Sequence, residues 1–144
     1  MVTNFFRNTL LFAGLFAFAA AASFAQTTEV KKKPIQHTSA ASGSEMYNSY
    51  CAPCHGKDGK GNGPAASAMK SQPTDLTQLA KKNNGKVPAD HIATLLRNGV
   101  SGAHGSVDMP VWGPLFAQVS AHDDAIVQMR IANLITYIES LQAK

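Results

Sequence analysis

The chain contains only two cysteines, and both fall within five residues, Cys51-Ala52-Pro53-Cys54-His55. That stretch constrains the fold more than any other feature. A disulfide across it would close a very small loop and would stabilise little. A structural zinc site needs four protein ligands, and no second C-x-x-C or H-x₃₋₅-H occurs in the chain. A redox dithiol of the thioredoxin type expects a βαβ setting, and no stretch shows strand alternation of useful length. The two thiols and the adjoining imidazole therefore call for one explanation together.

The N-terminus bears on the redox compartment. Arg7 stands in a short polar start, Leu10 to Ala22 is an unbroken run of apolar and small residues, and Ser23-Phe24-Ala25 puts small residues at the −3 and −1 places of a cleavage site. This is the layout of a secretory signal peptide over residues 1–25. The competing reading, a retained anchor, wants about 20 predominantly apolar residues, and this core is shorter. Removing residues 1–25 takes away only Arg7 and leaves 119 residues with a net charge of +3, enough for one domain. Residues 26–42 are rich in Lys, Thr and Ser and nearly free of apolar residues, which predicts a flexible leader. The domain is expected over 43–144. No basic stripe with interleaved aromatics is present, so nucleic acid is excluded as a partner.

Helical periodicity runs through the domain. Ser44 is placed to cap a first helix, in which Met46, Tyr47, Tyr50, Cys51 and Cys54 form one apolar face. Gly56, Gly59, Gly61, Gly63 and Pro64 then enforce a loop. Short helices are expected over Ala65–Lys70 and Leu76–Lys81, and a longer one over Pro88–Asn98 with Gly99 as its stop. The stretch Val100–Val119 has two prolines and three glycines and reads as a long loop, of the kind that is usually functional in a compact domain. Val127, Ile131, Leu134, Ile138 and Leu141 mark an amphipathic C-terminal helix. The expected class is all-α, about four helices with long loops. Such loops make sense if they wrap a large apolar cofactor.

C-x-x-C-H is the attachment signature of c-type haem. Two thiols three residues apart on a helix lie on one side of the backbone, where they can add to two vinyl groups of a porphyrin, and His55 then supplies the proximal imidazole. The stretch Gly43-Ser44-Glu45-Met46-Tyr47 … Cys51-Ala52-Pro53-Cys54-His55-Gly56-Lys57-Asp58-Gly59-Lys60-Gly61-Asn62-Gly63-Pro64 resembles the opening of class I (monohaem) bacterial cytochromes c. His104-Gly105-Ser106-Val107-Asp108-Met109-Pro110-Val111-Trp112-Gly113 resembles their distal loop, and Leu134 and Tyr137 resemble their C-terminal helix. The resemblance covers roughly residues 43–142. It implies a small cytochrome c-type fold around one haem c attached through Cys51 and Cys54.

The second axial ligand separates a carrier from an enzyme. Met46, Met69, Met109 and Met129 are candidates, as are His37, His91, His104 and His122. Met46 shares the attachment helix, Met69 follows His55 closely on an expected helix, and Met129 reads as core filler. Met109, in a long loop and followed by Pro110, matches the family's distal methionine; His104 is the alternative. The resemblance further implies that the Pro64 carbonyl accepts the hydrogen bond of the proximal imidazole, that Trp112 lies near a haem propionate or else fills the core, and that Gly43, Tyr47 and Tyr137 make the helix crossing. Together these imply a periplasmic electron carrier, not an enzyme. It is expected to be monomeric, to serve redox partner proteins, and to have no stable membrane insertion once the signal is cleaved. The alternatives are a haem subunit tethered to a larger oxidoreductase, and a peroxidase or gas-binding protein with an open distal site.

Overall fold

The computed structural model of the chain describes residues 34–99 and 109–143; the signal segment, most of the leader and His104 lie outside them. The described residues belong to one compact unit. They are helical, with no strand among them.

The attachment segment is a helix in three parts: α1 (Gly43–Met46), a wide π turn (Tyr47–Cys51) and α2 (Ala52–His55). It starts slightly ahead of the expected cap. Ser42, not Ser44, accepts the Glu45 N–H, at 3.2 Å. The π turn has a local cause. Pro53 has no N–H to return to the preceding turn, and its ring crowds the carbonyl it would otherwise bond. The chain widens just before it, and the Ala52 N–H donates to the carbonyl of Tyr47.

Residues 65–70 form only a single 3₁₀ turn, Ala66–Ala68, and Met69 beyond it is extended. The segment is instead tied to the attachment helix, the Gly63 and Ala65 amides donating to the carbonyls of Cys54 and Pro53. A 3₁₀ turn at Leu76–Gln78, capped by Asp75, runs into α3 (Leu79–Lys82). The next helix, α4 (Ala89–Asn98), begins after Pro88 and ends at Gly99, as its caps predict.

The long loop expected over Val100–Val119 is contradicted in its second half, where α5 spans Trp112–Val119. Gly113 and Pro114 disguise this helix. Both stand in its first turn, where a proline lacks an N–H that would have had no partner anyway. The same residue Gly113 allows close approach, since a Cβ there would sit 2.4 Å from the carbonyl oxygen of Arg97 on α4. The last helix, α6 (Asp124–Ser140), is capped by Asp123, whose carboxylate accepts from the Ala125 and Ile126 amides.

The core is where the attachment segment, α4, α5 and α6 meet; Tyr47, Phe116, Met46 and Leu134 are its largest fully buried side chains. At the crossing of α1 and α6, a Cβ on Gly43 would lie 2.1 Å from the carbonyl oxygen of Asn133 and 2.9 Å from Tyr137 Cβ. Tyr47 stacks obliquely on Tyr137 with ring centroids 5.1 Å apart. Gly43→Ala should therefore push the two helices apart and cost about 1–3 kcal/mol, the usual range for overpacking. Urea unfolding checks this; an unchanged midpoint refutes the tight crossing.

The leader also ends earlier than its composition suggests. Thr38 is only 8% exposed, and Asn133 donates to the carbonyl of Ala40 at 2.9 Å. Polar residues pack here because hydrogen bonds from the body satisfy them, which a count of apolar residues does not register.

Candidate cofactor-binding site

A cavity of about 570 Å³ opens between the attachment segment, the 69–79 loop, α4, the start of α5 and α6. Protein interiors ordinarily hold few voids larger than a water molecule, so a space of this size in so small a domain is a built site. Ile92, Leu95 and Leu96 of α4 and Leu134 and Ile138 of α6 make its walls largely apolar. Cys51, Cys54 and His55 all face it from one helical stretch.

The His55 side chain is held in a specific tautomer. Its Nδ1 lies 2.9 Å from the carbonyl oxygen of Thr74. A carbonyl only accepts, so Nδ1 carries the proton and Nε2 keeps its lone pair for a metal. Burial pushes the imidazole below its ordinary pKa, opposed by the Thr74 bond. The neutral ring, the form able to bind a metal, is thereby favoured. The carbonyl that faces the imidazole in this structure is that of Thr74, where the resemblance points to Pro64. Pro64 is exposed, and its neighbours Gly63 and Ala65 tie the loop to Cys54 and Pro53 instead. The Thr74 carbonyl is brought to the ring by a separate set of bonds: Gln72 donates to the carbonyl of Gly61, and the Leu76 N–H to that of Gly59, at 2.7 Å.

Burial, and secondarily the nearby Cys54, push the Cys51 thiol up to about 12. A dithiol oxidoreductase needs the opposite, a thiol pKa brought down toward neutrality. Tyr47 is likewise raised, chiefly by burial and then by Cys51, and its neutral hydroxyl donates to the carbonyl of Gly56 at 2.8 Å.

Among the distal candidates, Met109, Met69 and His91 all line the cavity. Met46 does not; it is fully buried in the core. Met129, expected as core filler, is 43% exposed, because α6 turns that position away from the stripe. His37 and His122 are exposed and off the cavity. Trp112 serves the core and the cavity at once. It is 8% exposed, packs 5.4 Å from Tyr50 and 5.7 Å from Phe116 by ring centroids, and lines the cavity wall. Sequence reasoning missed Thr74 and Tyr50 as parts of the site.

The fit to a tetrapyrrole is good. The volume lies within the range of ligand pockets, about 300–1,000 Å³. The walls are apolar, two thiols stand on one helical stretch, and one imidazole nitrogen is free. A family model described as cytochrome c oxidase, cbb3-type, subunit III matches residues 38–138, well over half of the chain. The chain belongs to this family. Its cytochrome c domain carries covalently bound haem c and works in haem-based electron transfer. The match begins at Thr38, the residue with which the leader enters the fold. No curated protein and no solved structure matches the chain significantly. Of the described residues, none forms a helix long and apolar enough to cross a membrane.

Proposed function

We propose that the chain is a periplasmic single-electron carrier whose haem iron is held between His55 and Met109. The observation that carries this reading is the placement of Cys51, Cys54, His55 and Met109 around one apolar cavity. Haem supplies a one-electron couple in which no atom is transferred. The chain's residues do the rest. Cys51 and Cys54 anchor the group to the first helical segment. The Thr74 carbonyl fixes the plane of the His55 ring and raises its basicity as a ligand. The α4 and α6 walls would shield the group from water, and the Met109 thioether would be the second residue to hold the iron.

Met109 is favoured over Met69 by what each is tied to. The 65–76 segment is pinned at both ends to the attachment side, through the Ala65 amide to Pro53 and through Thr74 to His55. Met69 lies between those ties. Met109 leads into α5, which packs on α4 through Gly113, and so approaches from the other wall. A neutral thioether favours ferrous iron, and a filled sixth position suits electron transfer over ligand chemistry.

Denaturing electrophoresis tests the attachment. Haem should remain on the wild-type polypeptide and be lost when Cys51→Ala and Cys54→Ala are combined. Haem extracted from the wild type by acid and organic solvent would refute it.

The family's description as an oxidase subunit favours a second reading, a haem subunit tethered to a larger oxidoreductase. N-terminal sequencing of the mature protein separates the two. A start near Gln26 supports the free carrier, and a retained N-terminus supports the tethered subunit.

A further inference from the structure

Arg130 stands on the buried face of α6, 4% exposed. Among the described residues its guanidinium donates to neutral groups alone. Nε bonds Ser120 Oγ at 2.9 Å, Nη1 bonds Thr38 Oγ1 at 3.1 Å and touches Met46 Sδ at 3.7 Å, and Nη2 bonds the carbonyl of Val119 at 3.4 Å. Among the described residues no carboxylate pairs with it, and the ion pair found there, Lys60–Asp58, is at the surface. A charge removed from water without a counter-charge is costly, and an apolar side chain of similar volume is often no worse for stability. Fastening residues 38–40 does not require a cation either, since Asn133 does the same for Ala40 with a neutral amide.

The position of this charge points to the cavity. Leu134 and Ile138, four and eight residues further along the same face of α6, line it; four residues are a rise of about 6 Å. Thr38 Oγ1 is also 2.8 Å from the hydroxyl of Tyr50, and Tyr50 lines the cavity. A hydrogen-bonded path of two links thus joins the guanidinium to the cavity wall. We infer that Arg130 is a fixed buried cation that holds the reduction potential of this domain up. The inference rests on the electron-carrier reading above. Reduction takes one electron from the redox partner and places it on the haem iron, with no bond made or broken. A nearby positive charge in a low-dielectric interior lowers the energy of that added electron, and salt screens it far less than it screens a surface charge. Arg130 acts on the haem across the protein and not by contact, so it is a positioning residue in the electrostatic sense.

The test is the midpoint potential of purified holoprotein, by optical redox titration at low and high ionic strength. Arg130→Met removes the charge, and Ser120→Asp neutralises it in place by bringing a carboxylate to Nε. Both should shift the potential negative, and the shift should persist in high salt. Arg130→Lys should stay near wild type. Lys82→Gln, an exposed control, should give a smaller shift that salt removes. If Arg130→Met does not fold, Ser120→Asp carries the same test. Variants that lose thermal stability yet keep the wild-type potential would overturn the inference and leave Arg130 a structural clamp. So would a shift that vanishes in salt. A wild type without covalent haem would instead refute the carrier reading itself, which separates the two failures.

Discussion

His55→Ala should leave almost no stable haem-loaded protein, and the polypeptide that accumulates should lack a cooperative unfolding transition. The reason is the size of the space His55 serves. A cavity of about 570 Å³ lies between α4 and α6, lined by Ile92, Leu95, Leu96, Leu134 and Ile138, which would otherwise have to meet one another. Without the cofactor these apolar side chains face an open space, and each one left unburied forgoes about 1.5–3 kcal/mol. A typical domain has only about 5–15 kcal/mol of stability to lose. Removing the imidazole also strands the Thr74 carbonyl, which orders the 72–76 loop against the ring. The measurements are haem content per chain, and far-ultraviolet circular dichroism through a urea titration. A haem-free His55→Ala protein that unfolds cooperatively at neutral pH would show that the helices pack without the cofactor.

The sequence shows most of this where one residue type forces one local outcome. The α6 stripe fixes which side of that helix is buried, and Pro88 and Gly99 bracket α4. The thiol–thiol–imidazole spacing leaves haem attachment as the one reading that uses all three groups. The failures occur where the deciding partner is a backbone group. Thr74 binds His55 across 19 residues through its carbonyl, and a carbonyl has no side-chain signature, so resemblance alone points to Pro64. The α5 helix is legible but disguised. Trp112, Leu115, Phe116 and Val119 stand at helical spacing, but Gly113 and Pro114 read as breakers unless their place in the first turn is known. Arg130 interrupts an apolar stripe and reads from composition as a surface charge. Only Ser120, Thr38 and the Val119 carbonyl, which close around it in three dimensions, make it an interior residue.

Met109→Ala should convert a carrier into a haem protein with an open coordination position. With Met109 as ligand, the oxidised wild type shows the weak long-wavelength sulfur-to-iron band, and its reduced form binds carbon monoxide poorly. The variant should lose the band, bind carbon monoxide or cyanide readily, and fall in potential, because a neutral thioether stabilises ferrous iron and its loss removes that bias. Axial ligation spans about 0.8 V among haem proteins, so the fall should far exceed the effect of any exposed lysine. Met109→His should restore a six-coordinate iron, at a potential below wild type, since a harder donor favours ferric iron. Met69 provides the discriminating control because it lines the same cavity. If it only packs there, Met69→Ala keeps the band and costs stability alone. Met129→Ala should change neither, its side chain being 43% exposed. An intact band in Met109→Ala would move ligation to another methionine, and Met69 lines the cavity. A wild type already five-coordinate would move the function toward a haem enzyme or gas binder. The first result would mean that the ties of residues 65 and 74 to the attachment side do not keep Met69 from reaching the distal face. The second would mean that Met109 lines the cavity without ligating the iron.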